Sequence, residues 1–188
     1  MSGWGITDAM NAQRPVMVIF DRDGVLNVDH GYAYDPARLE WIPGARAAVK
    51  RVNEAGAIAV IATNQSGIGR GYYSEIQMEA FHAEMLAQLA AQGARIDAVY
   101  FCPFHEDAAE DRYRVADHPD RKPNPGMLLR ALADFAVAPT DAVMIGDKPS
   151  DMEAARRAGV RGVFYEGDDL EALTQAQLAT LTGTTVRQ

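Results

Sequence analysis

Short apolar stretches and longer amphipathic stretches alternate along the chain from residue 16 onward. Five apolar runs have the length of a strand, namely Val16–Phe20, Ala57–Ala62, Ala98–Phe101, Ala142–Ile145 and Gly162–Tyr165. Five segments have a helix-like pattern, namely Gly44–Ala55, Ser74–Gln92, Gly126–Ala136, Ser150–Ala158 and Leu170–Leu181. Short apolar runs between turn residues favour buried strands, and the longer segments favour helices. The pattern therefore predicts an α/β fold in which strands and helices alternate.

The predicted helices carry suitable residues at their ends. Pro43 lies just before one start, Ser74 is a typical N-cap, and Gly159 follows one end. Strands that alternate with helices form parallel sheets covered on both faces. We therefore expect a Rossmann-like parallel sheet with helices on both faces.

Residues 1–15 lack hydrophobic periodicity and are expected to form a flexible N-terminal arm. The remaining segment, residues 16–188, is expected to form a single domain, since its length suits one α/β core.

Polar side chains follow the predicted strands where each strand ends. They are Asp21 and Asp23 after the first strand, Thr63 and Asn64 after the second, and Asp147, Lys148 and Asp151 after the fourth. Arg121 and Lys122 immediately precede a predicted helix. In parallel sheets, ligands bind beyond the carboxyl ends of the strands. These acids, hydroxyl and cations are therefore expected to line one crevice.

The overall charge restricts the class of partner. The chain has 188 residues and a formal net charge of −8, which argues against a nucleic-acid surface. Cys102 is the single cysteine, so no intramolecular disulfide is expected. Nothing resembles a signal peptide, and no apolar run approaches the ~20 residues of a bilayer span. We expect a cytoplasmic monomer that binds a small phosphorylated metabolite and neither nucleic acid nor membrane.

The acids predict metal-assisted phosphoryl chemistry. Clustered carboxylates repel one another unless a cation lies between them. Oxygen ligands favour Mg²⁺, which is commonly held by a few carboxylates together with substrate phosphate oxygens. Asp21 could then attack phosphorus and form an aspartyl-phosphate, while Asp23 transfers protons. Thr63 and Lys122 are candidates to stabilise the charge on the transferring group.

Four ordered motifs, "DRDGV", "TNQ", the lysine of "RKP" and "GDKPSD", resemble those of the haloacid dehalogenase (HAD) superfamily. More narrowly, "FDRDGVLN", "VDHGY", "TNQSGIGRG", "RKPNPGMLL" and "GDKPSDM" resemble small phosphatases that act on D-glycero-D-manno-heptose 1,7-bisphosphate. The histidinol-phosphate phosphatases are close relatives of that group. The resemblance extends over most of the chain, from about Met17 to Tyr165.

The resemblance implies a role for each motif residue. Asp21 would be the nucleophile, Asp23 the general acid and base, and Thr63 and Lys122 phosphate ligands. Asp147 would bind Mg²⁺ beside Asp21 and the main-chain carbonyl of Asp23.

The roles of the remaining residues stay open. Asn64, Arg70 and Arg121 are candidates for substrate binding, although each arginine could instead be a solvated surface charge. Lys148 is a candidate supporting residue. Asp151 either binds Mg²⁺ through water or orients Lys148 at a helix start, where the helix dipole favours a carboxylate.

Two positions depart from the pattern of this subgroup. Val25 replaces a threonine, and we expect it to tune the acid at most. Many members have a zinc loop, C-x-H followed by C-x-C, at positions occupied here by Cys102, Phe104, His118 and Asp120. Structural zinc is nearly always bound by four Cys or His ligands. We expect no structural zinc, for which Cys102, His105, His118 and Asp120 are the only candidate ligands.

The spacing of the motifs leaves no room for a separate cap domain. Substrate selection is therefore assigned to the loops Asp29–Tyr34, Gly67–Tyr72 and Pro103–Asp120. The predicted function is a Mg²⁺-dependent phosphomonoesterase, with heptose 1,7-bisphosphate as substrate and Arg70 facing its second phosphate. The alternatives are a histidinol-phosphate or broad-specificity sugar phosphatase, and a non-catalytic phosphometabolite-binding protein.

Overall fold

The computed structural model describes residues 14–183 and contains one five-stranded parallel sheet in that range. Its strands are β1 (Met17–Phe20), β2 (Ile58–Asn64), β3 (Ala98–Cys102), β4 (Ala142–Gly146) and β5 (Arg161–Phe164). They lie in the order β3-β2-β1-β4-β5. The predicted parallel sheet is confirmed. The predicted N-terminal arm lies outside the described residues except for Arg14 and Pro15.

Six α-helices connect or follow the strands within the described range. They are α1 (Ala45–Glu54), α2 (Ser66–Gly69), α3 (Glu75–Ala90), α4 (Gly126–Asp134), α5 (Pro149–Ala158) and α6 (Leu170–Thr182). Five of them correspond to the helix-like segments of the sequence. The single turn α2, directly after β2, was not predicted, because its sequence, "SGIG", is too short to show a helical period. Among residues 14–183, no helix is long and apolar enough to cross a membrane.

The sheet separates two hydrophobic cores, and successive residues of each central strand point to opposite sides. In β1, Val18 and Phe20 belong to one core, and Met17 and Ile19 belong to the other. The first core is closed by α1, α3 and α6, and the second by α4 and α5. Burial on both faces explains why β1 is a continuous apolar run. It also holds the end of the strand rigidly.

The strand order reverses next to β1. From β1 the chain moves outward to β2 and β3, and it then crosses back to β4 on the other side of β1. Such a reversal opens a crevice at the carboxyl edge of an α/β sheet. Asp21 follows β1 and Asp147 follows β4, so both acids lie at this point.

In the described range, the connections after β1 and β3 each contain loops, short 3₁₀ turns and one α-helix, and the connection after β2 contains loops and the two helices α2 and α3. None of these connections contains a further sheet in residues 14–183, which agrees with the prediction that the fold has no separate cap domain.

Candidate active site

Three carboxylates converge at the strand reversal. Asp21, Asp147 and Asp151 each offer an oxygen, and these oxygens lie within 4.8 Å of one another. Asp21 and Asp151 are buried, and Asp147 is half-buried. In the described residues this is the one group of three or more His, Cys, Asp or Glu side chains arranged to hold a cation.

Lys122 neutralises part of this charge. Its Nζ lies 2.9 Å from Asp21 Oδ1 and 2.7 Å from Asp151 Oδ1, and it donates to the carbonyl of Ala62 at 2.8 Å. Burial alone would lower the pKa of this lysine, but Asp21 and Asp151 outweigh burial and raise it. Lys122 therefore stays charged beneath the cluster.

The single positive charge of Lys122 does not neutralise all three carboxylates. Burial raises the pKa of Asp21 to about 6 against the opposing effect of Lys122, and Asp151 adds to the rise. Burial likewise raises the pKa of Asp147, an effect that Lys148 opposes and Asp151 reinforces. A divalent cation would favour the ionised form of these carboxylates.

Two further features fit a bound cation. Asp147 Oδ1 is buried and has no hydrogen-bond partner among the described residues. Gly24 has a φ of +89°, and a Cβ at this position would collide with the carboxylate of Asp147. The absence of a side chain at Gly24 therefore keeps the space beside this carboxylate open. The donor set consists of hard oxygens, which suits Mg²⁺.

Asp23 has a different environment from Asp21. The Arg22 guanidinium donates to both of its oxygens, with Nη2 2.8 Å from Oδ2 and Nε 3.1 Å from Oδ1. Asn27 Nδ2 donates to Oδ1 at 2.9 Å, and Gln65 Nε2 donates to Oδ2 at 3.0 Å. Burial would raise the pKa of Asp23, but Arg22 and the two amides hold it below its usual value. Its carboxylate is not part of the cation group, so a metal contact would involve its main-chain carbonyl.

Gln65 links Asp23 to Thr63. Besides Asp23, its Nε2 donates to Thr63 Oγ1 at 2.9 Å, and its Oε1 accepts from Tyr73 OH at 2.6 Å. Thr63, Gln65 and Tyr73 are all buried. This chain of hydrogen bonds fixes the hydroxyl of Thr63 relative to the carboxylate of Asp23.

Asn64 holds the main chain of Lys122 by a reciprocal pair of hydrogen bonds. Its Nδ2 donates to the Lys122 carbonyl at 2.9 Å, and its Oδ1 accepts from the Lys122 N–H at 3.0 Å. Asp151 accepts from the main-chain N–H of Lys148 at 3.0 Å while it pairs with the ammonium of Lys122. Both residues thus position the buried lysine.

A cleft of about 380 Å³ opens above these groups. Its lining includes three residues of the predicted loops and five of the ten predicted site residues: Asp23, Asp29, Gly31, Tyr32, Asn64, Gln65, Ser66, Tyr73, Arg121, Lys122, Lys148 and Ser150. Lys148 Nζ lies 3.3 Å from Asp29 Oδ2, and Arg121 Nη1 donates to the Phe104 carbonyl at 3.2 Å. Two candidate cations outside the buried cluster, Arg121 and Lys148, therefore face this space.

Arg70 lies away from the cleft lining. Its Nη2 is 2.9 Å from His105 Nε2 and 3.6 Å from Asp107 Oδ2. The sequence placed this arginine opposite a second phosphate. The structure instead pairs it with the loop after β3.

The four candidate zinc ligands have other contacts, and Asp120 pairs with Arg130. Cys102 is buried in the second core, and burial raises the pKa of its thiol to about 11. The His118 ring stacks on Phe104 with centroids 3.8 Å apart, and its Nδ1 accepts from the Asp120 N–H. His105 contacts Arg70. In residues 14–183 these side chains do not form a group arranged for a cation.

Sequence reasoning missed several residues around Asp23. Arg22 and Gln65 lie inside the recognised motifs, yet nothing in a single sequence shows which atoms their side chains contact. Tyr73 and His82 come from the segment that contains α3, far from any motif acid along the chain. Tyr32, with a φ of +59°, lines the cleft and contacts Tyr72 edge to face.

Comparison with protein families and curated proteins identifies relatives of the chain. A family model described as HAD-hydrolase-like matches residues 120–184. A D-glycero-β-D-manno-heptose-1,7-bisphosphate 7-phosphatase of Rhodopseudomonas palustris is 44% identical over 169 residues, which are 89% of this chain and 93% of that protein.

Solved structures agree with these matches. A protein described as a HAD-like phosphatase from Mesorhizobium loti superposes with a TM-score of 0.81 at 34% identity, covering 89% of this chain and 88% of that one. A D,D-heptose 1,7-bisphosphate phosphatase from B. bronchiseptica, complexed with magnesium and phosphate, has a TM-score of 0.75 at 29% identity and covers 88% of this chain and 99% of that one. The resemblance inferred from the motifs is confirmed. The chain therefore belongs to the HAD-like phosphatase family that includes the heptose-1,7-bisphosphate 7-phosphatases, and it is a phosphoric monoester hydrolase.

Proposed function

We propose that the chain is a Mg²⁺-dependent phosphatase that removes the 7-phosphate of D-glycero-D-manno-heptose 1,7-bisphosphate. One observation carries the proposal. Asp21, the Lys122 ammonium group paired with it and the hydrogen-bonded Asp23 lie together beneath one polar cleft. The choice of substrate is supported by the relatives, which are heptose 1,7-bisphosphate phosphatases.

Asp21 and Asp147 would hold Mg²⁺, with Asp151 beside them. When bound, the ion would supply positive charge that screens the carboxylates from the incoming phosphate and stabilises negative charge on the phosphoryl oxygens. The ammonium group of Lys122 supplies a second positive charge beside Asp21.

Asp21 is the nucleophile of the proposed reaction. Its Oδ1 accepts from the Arg22 N–H at 2.8 Å and faces Lys122, whereas Oδ2 receives no hydrogen bond from a described residue. Oδ2 is therefore the oxygen left to attack phosphorus. The new bond to Asp21 forms as the bond from phosphorus to the sugar oxygen breaks, and Asp23, which enters this step in its protonated form, gives its proton to that oxygen.

Hydrolysis of the aspartyl-phosphate reverses the role of Asp23. The residue takes a proton from water, the water oxygen bonds to phosphorus, and the bond from phosphorus to Asp21 breaks to release inorganic phosphate. The donors around Asp23 favour its carboxylate form, which is the form that accepts this proton.

A phosphate-release assay over several substrates tests the proposed function. We expect the highest kcat/KM for heptose 1,7-bisphosphate and lower values for a hexose bisphosphate and for histidinol phosphate. EDTA should stop the reaction and Mg²⁺ should restore it. Preference for histidinol phosphate would replace the proposed substrate, and restoration by Zn²⁺ alone would contradict the assignment of a hard ion.

The second phosphate of the substrate is assigned to Arg121, because this arginine lines the cleft and Arg70 does not. A guanidinium can form two parallel hydrogen bonds to a phosphate. Lys148 adds positive charge on the same cleft. This assignment replaces the one made from sequence, which had chosen Arg70.

Arg121→Ala should remove the preference for the bisphosphate over the matching 7-monophosphate. A hydrogen bond to a charged group contributes about 1.5–3 kcal/mol, which corresponds to a loss of roughly 10–150-fold in relative kcat/KM. The comparison uses kcat/KM for both sugars in wild type, Arg121→Ala and Arg70→Ala. Arg70→Ala serves as the matched variant and should keep the preference. Loss of the preference in Arg70→Ala alone would restore the assignment made from sequence.

A further inference from the structure

Arg22 is a fully buried arginine between the two aspartates of the first motif. Its guanidinium contacts Asp23, donates from Nη2 to the carbonyl of Ala33 at 2.7 Å, and lies 4.8 Å from the centre of the Phe81 ring. Its Nη1 lies 3.0 Å from His82 Nε2. A buried charge is costly unless it is paired and hydrogen-bonded, and here each side of the guanidinium has a partner.

The contact between Arg22 and His82 fixes the state of the imidazole. A guanidinium only donates hydrogen bonds, so His82 Nε2 accepts and the ring proton lies on Nδ1. Burial, reinforced by the charge of Arg22, lowers the pKa of His82 to about 3. His82 is therefore a neutral acceptor, and it comes from α3 rather than from the motif loop.

Arg22 also restricts the orientation of the Asp23 carboxylate. The guanidinium reaches both carboxylate oxygens at 2.8–3.1 Å, and such a two-point contact fixes the plane of the carboxylate. The same Nη2 atom contacts the carbonyl of Ala33, next to the cleft residue Tyr32. The Arg22 side chain thus connects Asp23, the proposed acid and base, to helix α3 and to the loop that lines the cleft.

We propose that Arg22 is a positioning residue for phosphoryl transfer, held by His82 and the Ala33 carbonyl, which orients the Asp23 carboxyl group for proton transfer to the sugar oxygen. The inference rests on the proposed function, because it takes Asp23 as the acid and base. A lysine at position 22 would keep the charge but could not form the same two-point contact.

The test compares kcat/KM for an alkyl phosphate with kcat/KM for p-nitrophenyl phosphate, whose leaving group departs without a proton. This ratio reports the steps up to formation of the aspartyl-phosphate and excludes its hydrolysis, which is the same for both substrates. Arg22→Lys should lower kcat/KM for the alkyl phosphate by at least ~10-fold, the size of effect known for groups that orient metal ligands, and lower it far less for p-nitrophenyl phosphate. KM should stay within about two-fold, because Arg22 does not line the cleft.

His82 provides a second series of variants. His82→Leu removes the acceptor for Arg22 Nη1 and should show the same selective loss, and His82→Gln, whose amide oxygen can accept, should recover most of it. Thermal unfolding of each variant establishes that it is folded. Met85→Ala is the matched control, because Met85 is buried on α3 and belongs to the first core. Met85→Ala should lower stability without lowering kcat/KM more for one substrate than for the other.

The outcomes separate this inference from the proposed function. Asp23→Asn should also lower kcat/KM more for the alkyl phosphate than for p-nitrophenyl phosphate. If this variant shows no such difference, the role of Asp23 itself is contradicted. If Asp23→Asn shows the difference and the folded Arg22 and His82 variants do not, Arg22 is a structural residue and the inference is wrong. Equal losses for both substrates in Arg22→Lys would lead to the same conclusion.

Discussion

Asp21→Asn is expected to lose at least ~10³-fold in kcat, because removal of a covalent nucleophile usually eliminates the main route of an enzyme. The amide is a poor nucleophile and a weaker ligand for Mg²⁺ than a carboxylate. The change alters little volume, so the buried end of β1 should keep its packing. Asp21 lies in the cation group and next to Lys122.

The measurement is Mg²⁺-dependent phosphate release, with circular dichroism and thermal unfolding as evidence of folding. Asp134→Asn is a matched control, because Asp134 is an exposed carboxylate that accepts from Tyr100 OH outside the cleft. It should keep wild-type activity. Appreciable activity in a well-folded Asp21→Asn protein would contradict the aspartyl-phosphate mechanism.

Lys122→Met should impair both catalysis and stability. Loss of one charged donor to the transferring phosphoryl group typically costs on the order of 10²–10³-fold in kcat. The change also removes the cation between Asp21 and Asp151, and removing one partner of a buried ion pair costs ~3–5 kcal/mol. Methionine fills most of the same space, so the loss would arise from charge rather than from a cavity.

Denaturant unfolding in EDTA measures the effect of Lys122→Met on stability, and phosphate release in Mg²⁺ measures its effect on catalysis. Lys50→Met serves as a control, since Lys50 is an exposed lysine of α1. Mg²⁺ should recover part of the lost stability, because it supplies positive charge to the same carboxylates. A wild-type rate in Lys122→Met would exclude Lys122 from the reaction.

The elements of the sheet could be predicted because each central strand is buried on both faces. That burial requires uninterrupted apolar residues, so β1, β2 and β4 appear directly in the sequence. The convergence of Asp21 and Asp147 followed from the geometry of parallel strands, whose carboxyl ends lie at one edge. The predicted N-cap Ser74 is also confirmed, since its side chain accepts a hydrogen bond from the Gln77 N–H at the start of α3.

The contacts around these acids could not be predicted, because they join residues far apart in sequence. Arg22 meets His82 across 60 positions, and Asn64 meets Lys122 across 58. Hydrophobic patterns report which face is buried and do not report such polar pairs. The role of Asp151 was open for the same reason, and the structure pairs its side chain with Lys122.

The positions of Arg70 and Arg121 relative to the cleft could not be predicted from sequence. Its glycine-rich surroundings indicated close approach to substrate, but two groups of the following loop, His105 and Asp107, attract its guanidinium. The sequence around Arg121 gave no comparable indication of contact with substrate apart from its position before Lys122, yet Arg121 lines the cleft. Which of two arginines faces a cleft depends on loop conformation, which local sequence does not determine.

The proposed mechanism requires that Asp21 becomes phosphorylated during turnover. This step is tested by mass spectrometry of enzyme that is quenched with acid during turnover of heptose 1,7-bisphosphate and digested with pepsin at low pH. The mechanism predicts a transient phosphoryl group on Asp21, absent in Asp21→Asn and absent when EDTA replaces Mg²⁺. A phosphoryl group on another residue, or none at any time during rapid turnover, would contradict it.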